Sequence, residues 1–97
     1  MSGSDQYIPA LDRFRSAMET ELAKPKNVAK SSWLLMTDGQ LIARLLEETA
    51  ELIAVLDADS HSDLLILDQQ VIKEAADVAN FAMMIADKRA LNQGTST

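Results

Sequence analysis

Apolar residues recur at helical spacing in three segments of the chain. Leu11, Phe14, Met18 and Leu22 lie three or four apart, the repeat of one face of an α-helix. Pro9 suits the opening turn of that helix, where its missing N–H costs nothing, and Pro25 stops it. Leu41, Leu45, Leu52, Val55 and Leu56 form a second stripe. Its start is marked by Thr37 and Gln40, which fit a capping box, and by Asp38 in the first turn, where the helix dipole favours negative charge. A third helix is predicted from somewhere between Ser62 and Asp68 to about Leu91, with room for a break near residues 67–69. Residues 24–33 read as a loop carrying Lys24, Lys26, Lys30 and Trp33, and residues 57–62 as a short polar connection between antiparallel helices.

The third segment changes the picture. From Val71 to Ala86 it is apolar nearly all round, and a helix apolar on every side must be covered on every side. Two other helices from the same short chain do not suffice, so the pattern predicts an all-α antiparallel helical bundle completed by oligomerisation. Three glycines, two prolines and an excess of Ala, Leu, Met, Glu and Gln agree with helix throughout. At 97 residues the chain is a single domain spanning 1–97, with loose termini expected over about 1–6 and 92–97. A chain of this length buries about two-thirds of its unfolded surface, a further reason to expect association. Met18, Met36, Met83 and Met84 are read as core gap fillers. The balance of 47% hydrophobic and 25% charged residues is that of a soluble globular protein and excludes a disordered or collagen-like chain. Runs such as Phe81 to Ala86 are too short to cross a bilayer. With no secretory leader pattern and no cysteine, the expectation is a cytoplasmic protein without disulfides, thiolate nucleophile or cysteine-bound zinc.

The net charge is −6, from fifteen acidic against nine basic residues, which disfavours nucleic acid and anionic membranes as partners. Its distribution is more informative. No Lys or Arg occurs from Leu45 to Ile72, while Glu47, Glu48, Glu51, Asp57, Asp59, Asp63 and Asp68 all fall there. Such acids either face water or hold a cation. Glu48 and Glu51 are three apart on the second helix, and Glu74 and Asp77 repeat that spacing on the third. Both pairs interrupt apolar surroundings, so antiparallel packing of the two helices brings four carboxylates to one level. Unneutralised, they repel by several kcal/mol even at an effective dielectric of about 20. Either their pKa values rise or a divalent cation sits among them. Oxygen-only ligands select Mg²⁺, Mn²⁺ or Ca²⁺. A di-iron carboxylate bundle calls instead for Glu-x-x-His, and the single histidine, His61, lies in the connecting loop out of step with both pairs. One E-x-x-E alone is common on solvated helix faces.

Leu46-Glu47-Glu48-Thr49-Ala50-Glu51-Leu52, followed by Lys73-Glu74-Ala75-Ala76-Asp77-Val78-Ala79-Asn80-Phe81-Ala82-Met83-Met84, resembles the MazG-like nucleoside triphosphate pyrophosphohydrolases. Together with Lys30-Ser31-Ser32-Trp33, these residues look most like the short single-domain type, over roughly residues 30–88. In one respect the chain departs from the pattern: Lys73 stands where many relatives carry a second acidic residue before Glu74.

The resemblance implies hydrolysis of a (deoxy)nucleoside triphosphate between its α and β phosphorus atoms, for nucleotide-pool house-cleaning. It implies Glu48, Glu51, Glu74 and Asp77 as ligands of Mg²⁺, with Mn²⁺ a substitute, and Glu47 or Glu48 as the residue assisting deprotonation of water. Trp33 then either stacks on a base or plugs the bundle end. Asn80, one turn beyond Asp77, contacts phosphate, metal water or sugar, or a partner within the fold. Phe81 is a base contact or, by burial preference, core. Lys30 and Lys88 are phosphate partners or surface lysines. A homodimer or homotetramer is expected. Two other classes stay open: a non-catalytic helical module binding nucleotides or a partner protein, and a purely structural bundle.

Overall fold

The computed structural model describes residues 3–24, 35–58 and 64–95. A turn of 3-10 helix, Gly3–Tyr7, leads into α1 (Ile8–Leu22), followed by α2 (Asp38–Asp57) and α3 (Leu64–Thr95). The described residues are thus helical almost throughout, as the sequence predicts. Pro9 stands in the first turn of α1, and the start of α2 is the expected capping box. There the Gln40 N–H donates to Thr37 Oγ1 at 3.1 Å, and the Thr37 N–H donates back to Gln40 Oε1 at 2.9 Å. α3 runs unbroken through residues 67–69 and past Leu91 to Thr95. Residues 3–6 and 92–95 are helical. Residues 25–34 and 59–63, with Lys30, Trp33 and His61, lie outside the described residues.

α3 is the centre of the arrangement. It packs against α2 on one side and α1 on another, whereas α1 and α2 make no close backbone approach to each other. A 32-residue helix is about 48 Å long, which accounts for most of the 53 Å longest dimension. The radius of gyration, 15.7 Å, exceeds the roughly 12.5 Å of a compact 97-residue domain. Three helices laid side by side do not close a sphere.

Packing follows heptad-like stripes. On α2, Leu41, Leu45, Glu48, Leu52 and Val55 alternate by four and three, and all are buried or half-buried. On α3, Leu67, Val71, Glu74, Val78, Phe81 and Ile85 repeat the alternation and are half-buried. This stripe meets α2: the Arg44 guanidinium lies 5.4 Å from the Phe81 ring centroid. A second stripe on α3, Lys73, Asp77, Asn80 and Met84, turns towards α1, where Asn80 Nδ2 donates to the Met18 carbonyl at 3.2 Å. Lys88 closes the far end, its Nζ donating to the Met36 carbonyl at 2.6 Å, while Arg89 pairs with Asp38 at 2.6 Å.

The interior is thin. Among the described residues Leu41 and Ala76 are the hydrophobic side chains fully withdrawn from solvent. Leu11 and Leu56, expected in the buried stripes, are 61% and 55% exposed; α1 and α2 each pack on α3 and not on each other. Met83, expected as core filler, is also exposed, while Met18, Met36 and Met84 are half-buried. Ile42, Leu46, Ile53 and Leu56 form an open apolar strip along the outer side of α2. Around α1, two shallow apolar hollows of about 430 and 480 Å³ share Ala10 and Phe14 and extend to Ile72 and Tyr7 respectively. No helix among the described residues is long and apolar enough to cross a membrane.

The cap gives a test of local structure. Thr37→Ala removes an acceptor from the first turn of α2 and lowers unfolding free energy by about 1 kcal/mol. Urea denaturation shows this as a lower midpoint at unchanged slope.

Candidate metal centre

Glu48 and Glu74 occupy matching places in the facing stripes of α2 and α3, positions a purely structural seam fills with Leu or Val. Asp77, one turn beyond Glu74, points into the same space. Glu48, Glu74 and Asp77 each offer an oxygen within 4.8 Å of the other two, the one such carboxylate grouping among the described residues. Glu48 and Asp77 are buried, at 7% and 8% exposure. Glu51 is more exposed, yet its carboxyl is close enough to help raise the pKa of both Glu48 and Glu74. The four residues singled out by spacing therefore meet, three at the centre and Glu51 at the solvent edge.

The electrostatics record the crowding. Two carboxylates 4.8 Å apart repel by about 3.5 kcal/mol at an effective dielectric of 20. Burial, then the hydrogen bond with Glu51, then the charges of Glu51 and Asp77 push Glu48 up to about 7, against the opposing pull of Arg44. Glu74 is also raised, first by burial and then by its hydrogen bond with Glu51, with Lys73 working against the shift.

Two cations neutralise part of the remainder. Arg44 Nη2 lies 3.4 Å from Glu48 Oε1, and its Nη1 is 2.5 Å from Glu47 Oε2. Lys73 Nζ lies 3.1 Å from Asp77 Oδ2 and 3.4 Å from Glu74 Oε1. Burial works against the charged ammonium of Lys73. The hydrogen bond and charge of Asp77, with those of Glu74, outweigh it and raise its pKa to about 12.

Three buried oxygens near this level have no donor: Glu48 Oε2, Glu74 Oε2 and Asn80 Oδ1. Buried acceptors in a folded protein nearly always find a partner. Two of these belong to the carboxylate triad, and a hard cation is a natural occupant. Octahedral Mg²⁺ holds oxygens at about 2.1 Å, spacing ligand atoms roughly 3 to 4 Å apart. The triad's oxygens, within 4.8 Å of one another, could hold such an ion.

The remaining expected residues divide. Glu47 is largely exposed and engaged with Arg44. Asn80, only 4% exposed, is anchored to the α1 backbone with its carbonyl oxygen unused. Phe81 is half-buried beneath Arg44. Lys88 is eleven residues beyond Asp77, about 16 Å along the helix, and is tied to Met36 and Asp38; the structure does not bring it to the carboxylates. One participant escaped sequence reasoning altogether. Glu21 of α1 is 5% exposed, 2.7 Å from Lys24 and 3.9 Å from Lys73. Its signal was its place three residues after Met18, inside the α1 stripe. Arg44 was not singled out either, although its i, i+4 spacing to Glu48 was an available signal.

No known protein family, curated protein or solved structure matches the chain.

The raised carboxyl sets a pH test. Glu48 keeps its proton in the folded chain up to about pH 7 but loses it near 4.5 when unfolded. Its contribution to metal-free stability is thus complete below pH 4.5 and disappears as pH rises through 7. Thermal melts across this window, wild type against Glu48→Gln, report the difference: the wild type loses stability with rising pH relative to the variant. Added Mg²⁺, which needs the carboxylate, stabilises more at pH 8 than at pH 5.5.

Proposed function

We propose that the protein is a divalent-cation-dependent nucleotide pyrophosphohydrolase, converting (deoxy)nucleoside triphosphates to the monophosphate and pyrophosphate. The observation that carries this reading is the convergence of Glu48, Glu74 and Asp77 from two helices, with donorless buried oxygens on Glu48 and Glu74. The motif resemblance set out above names the reaction.

Glu48, Glu51, Glu74 and Asp77 would hold Mg²⁺, whose charge favours binding of the triphosphate and departure of pyrophosphate. Glu47 or Glu48 would assist deprotonation of the attacking water. Arg44 pairs with both, at 2.5 Å from Glu47 and 3.4 Å from Glu48. Asn80 Oδ1, buried and without a donor, is free to accept a hydrogen bond from a water or a sugar hydroxyl. Its amide is fixed on α1, so the acceptor is already oriented. Phe81, held under Arg44, supports the guanidinium beside Glu48.

Self-association is part of the same reading, with a second copy of the chain as the covering partner. Its support is the poverty of the interior, in which Leu41 and Ala76 alone among the described hydrophobic residues are fully buried. The exposed strip of α2 also has coiled-coil spacing: Ile42, Leu46, Thr49, Ile53 and Leu56 alternate by four and three. Analytical ultracentrifugation at micromolar concentration is expected to find a dimer or tetramer, shifted towards monomer by Ile53→Glu. A monomeric wild type defeats this part.

A second reading, a non-catalytic nucleotide-binding module, is favoured by Lys73, which occupies the edge of the carboxylates with a positive charge of the chain's own. Product analysis across a panel of nucleoside and deoxynucleoside triphosphates, with Mg²⁺ and with chelator, separates the two. Hydrolysis predicts pyrophosphate and monophosphate, abolished by chelator and reduced about 10²-fold or more by Glu48→Gln. Saturable nucleotide binding without turnover, indifferent to Glu48→Gln, establishes the module instead.

A further inference from the structure

Lys73 sits between two anionic seats. On one side are Asp77 and Glu74, at 3.1 and 3.4 Å; on the other is Glu21 of α1, at 3.9 Å. No other cation among the described residues forms an ion pair with Asp77 or Glu74. The Lys73 side chain is 36% exposed, so its stem has room to rotate while the helices stay in place. Glu21 lies at the α1–α3 contact, is itself buried, and also pairs with Lys24 at 2.7 Å.

We propose that Lys73 is a resident counter-ion: its tethered ammonium holds Glu74 and Asp77 together in the metal-free chain, competes with a divalent cation for them, and passes to Glu21 when the cation enters. The inference rests on the metal site proposed above but not on nucleotide hydrolysis. Charge accounting is consistent with it. Once Lys73 has moved, the four ionised carboxylates and Arg44 carry three negative charges, of which an entering divalent ion neutralises two where Lys73 neutralised one. Leaving Lys73 between Asp77 and an incoming cation would set two positive charges side by side. Transfer to Glu21 relieves that repulsion and strengthens the ion pair between α1 and α3, so cation binding tightens the docking of α1.

The roles are those of a competing and a receiving group, and neither residue is assigned to the chemistry. Calorimetric titration of metal-free protein with Mn²⁺ tests them. Lys73→Met is expected to bind roughly tenfold tighter, within the usual range of coupling between sites, while melting lower than wild type in the absence of metal. Lys73→Arg stays near wild type. Glu21→Gln, which weakens the receiving seat, binds more weakly, and loses that effect in the Lys73→Met background, a non-additivity that a structural role does not produce. Hydrogen exchange in α1 slows on Mn²⁺ binding in wild type but not in Glu21→Gln. If Lys73→Met does not fold without metal, the Glu21→Gln titration and exchange decide alone. Wild-type binding with no tightening in a folded Lys73→Met, or none of the Glu21→Gln effects, overturns the inference and leaves the metal site standing. A wild type that binds no Mn²⁺ overturns both.

Discussion

Neutralising acids at the centre of an otherwise apolar helix seam is the condition on which this fold depends. α2 and α3 close on each other through stripes that would be ordinary hydrophobic packing but for Glu48 and Glu74 at matched heights. Leucine at both places would give a more stable pair of helices, since ionised groups withdrawn from water recover their solvation only through partners. The chain supplies partial compensation: a proton retained on the carboxyls, Arg44 from below and Lys73 from the side. That compensation is incomplete, and two of the buried triad oxygens are left without a donor. A seam arranged in this way carries unfavourable electrostatics, which a bound cation would relieve.

Much of this was legible in the sequence, because it depends on local spacing. The capping box of Thr37 and Gln40, the proline in the first turn of α1 and the two carboxylate pairs each involve residues within four positions of one another, where helix geometry alone fixes the relation. Even the stretch without Lys or Arg from Leu45 to Ile72 pointed the right way. Its two boundaries, Arg44 and Lys73, are the residues that supply the counter-charges. The illegible part depends on which helix lies against which. Leu11 and Leu56 match the apolar period as well as Phe14 or Leu52 do, yet stay exposed because α1 and α2 flank α3 without meeting. Glu21 looked like one more charge on an amphipathic helix until α1 set it beside Lys73. Lys88 had the right chemistry for phosphate, but eleven residues of helical rise carry it to the far end of α2, where Met36 and Asp38 take it.

The thin interior and the acidic seam are aspects of one problem. A chain that devotes the middle of its best helix pair to carboxylates gives up part of the hydrophobic stabilisation that a short domain can least spare. Apolar surface on the outside of α2 and around α1 remains to be covered, and covering it offers the missing stabilisation without altering the seam. Under the self-association proposed above, assembly would supply the stability that the acidic seam gives up.

The alternation of four and three also restricts how such a chain can change its length. Each residue of an α-helix turns the following side chains by about 100°. One residue gained or lost between Leu41 and Val55 would rotate part of α2 out of phase, moving Glu48 or Leu52 away from α3. The same holds on α3 between Val71 and Ile85. Insertions and deletions are therefore tolerable only in the connecting segments and at the ends, and within the two facing stretches divergence is confined to substitution at constant length.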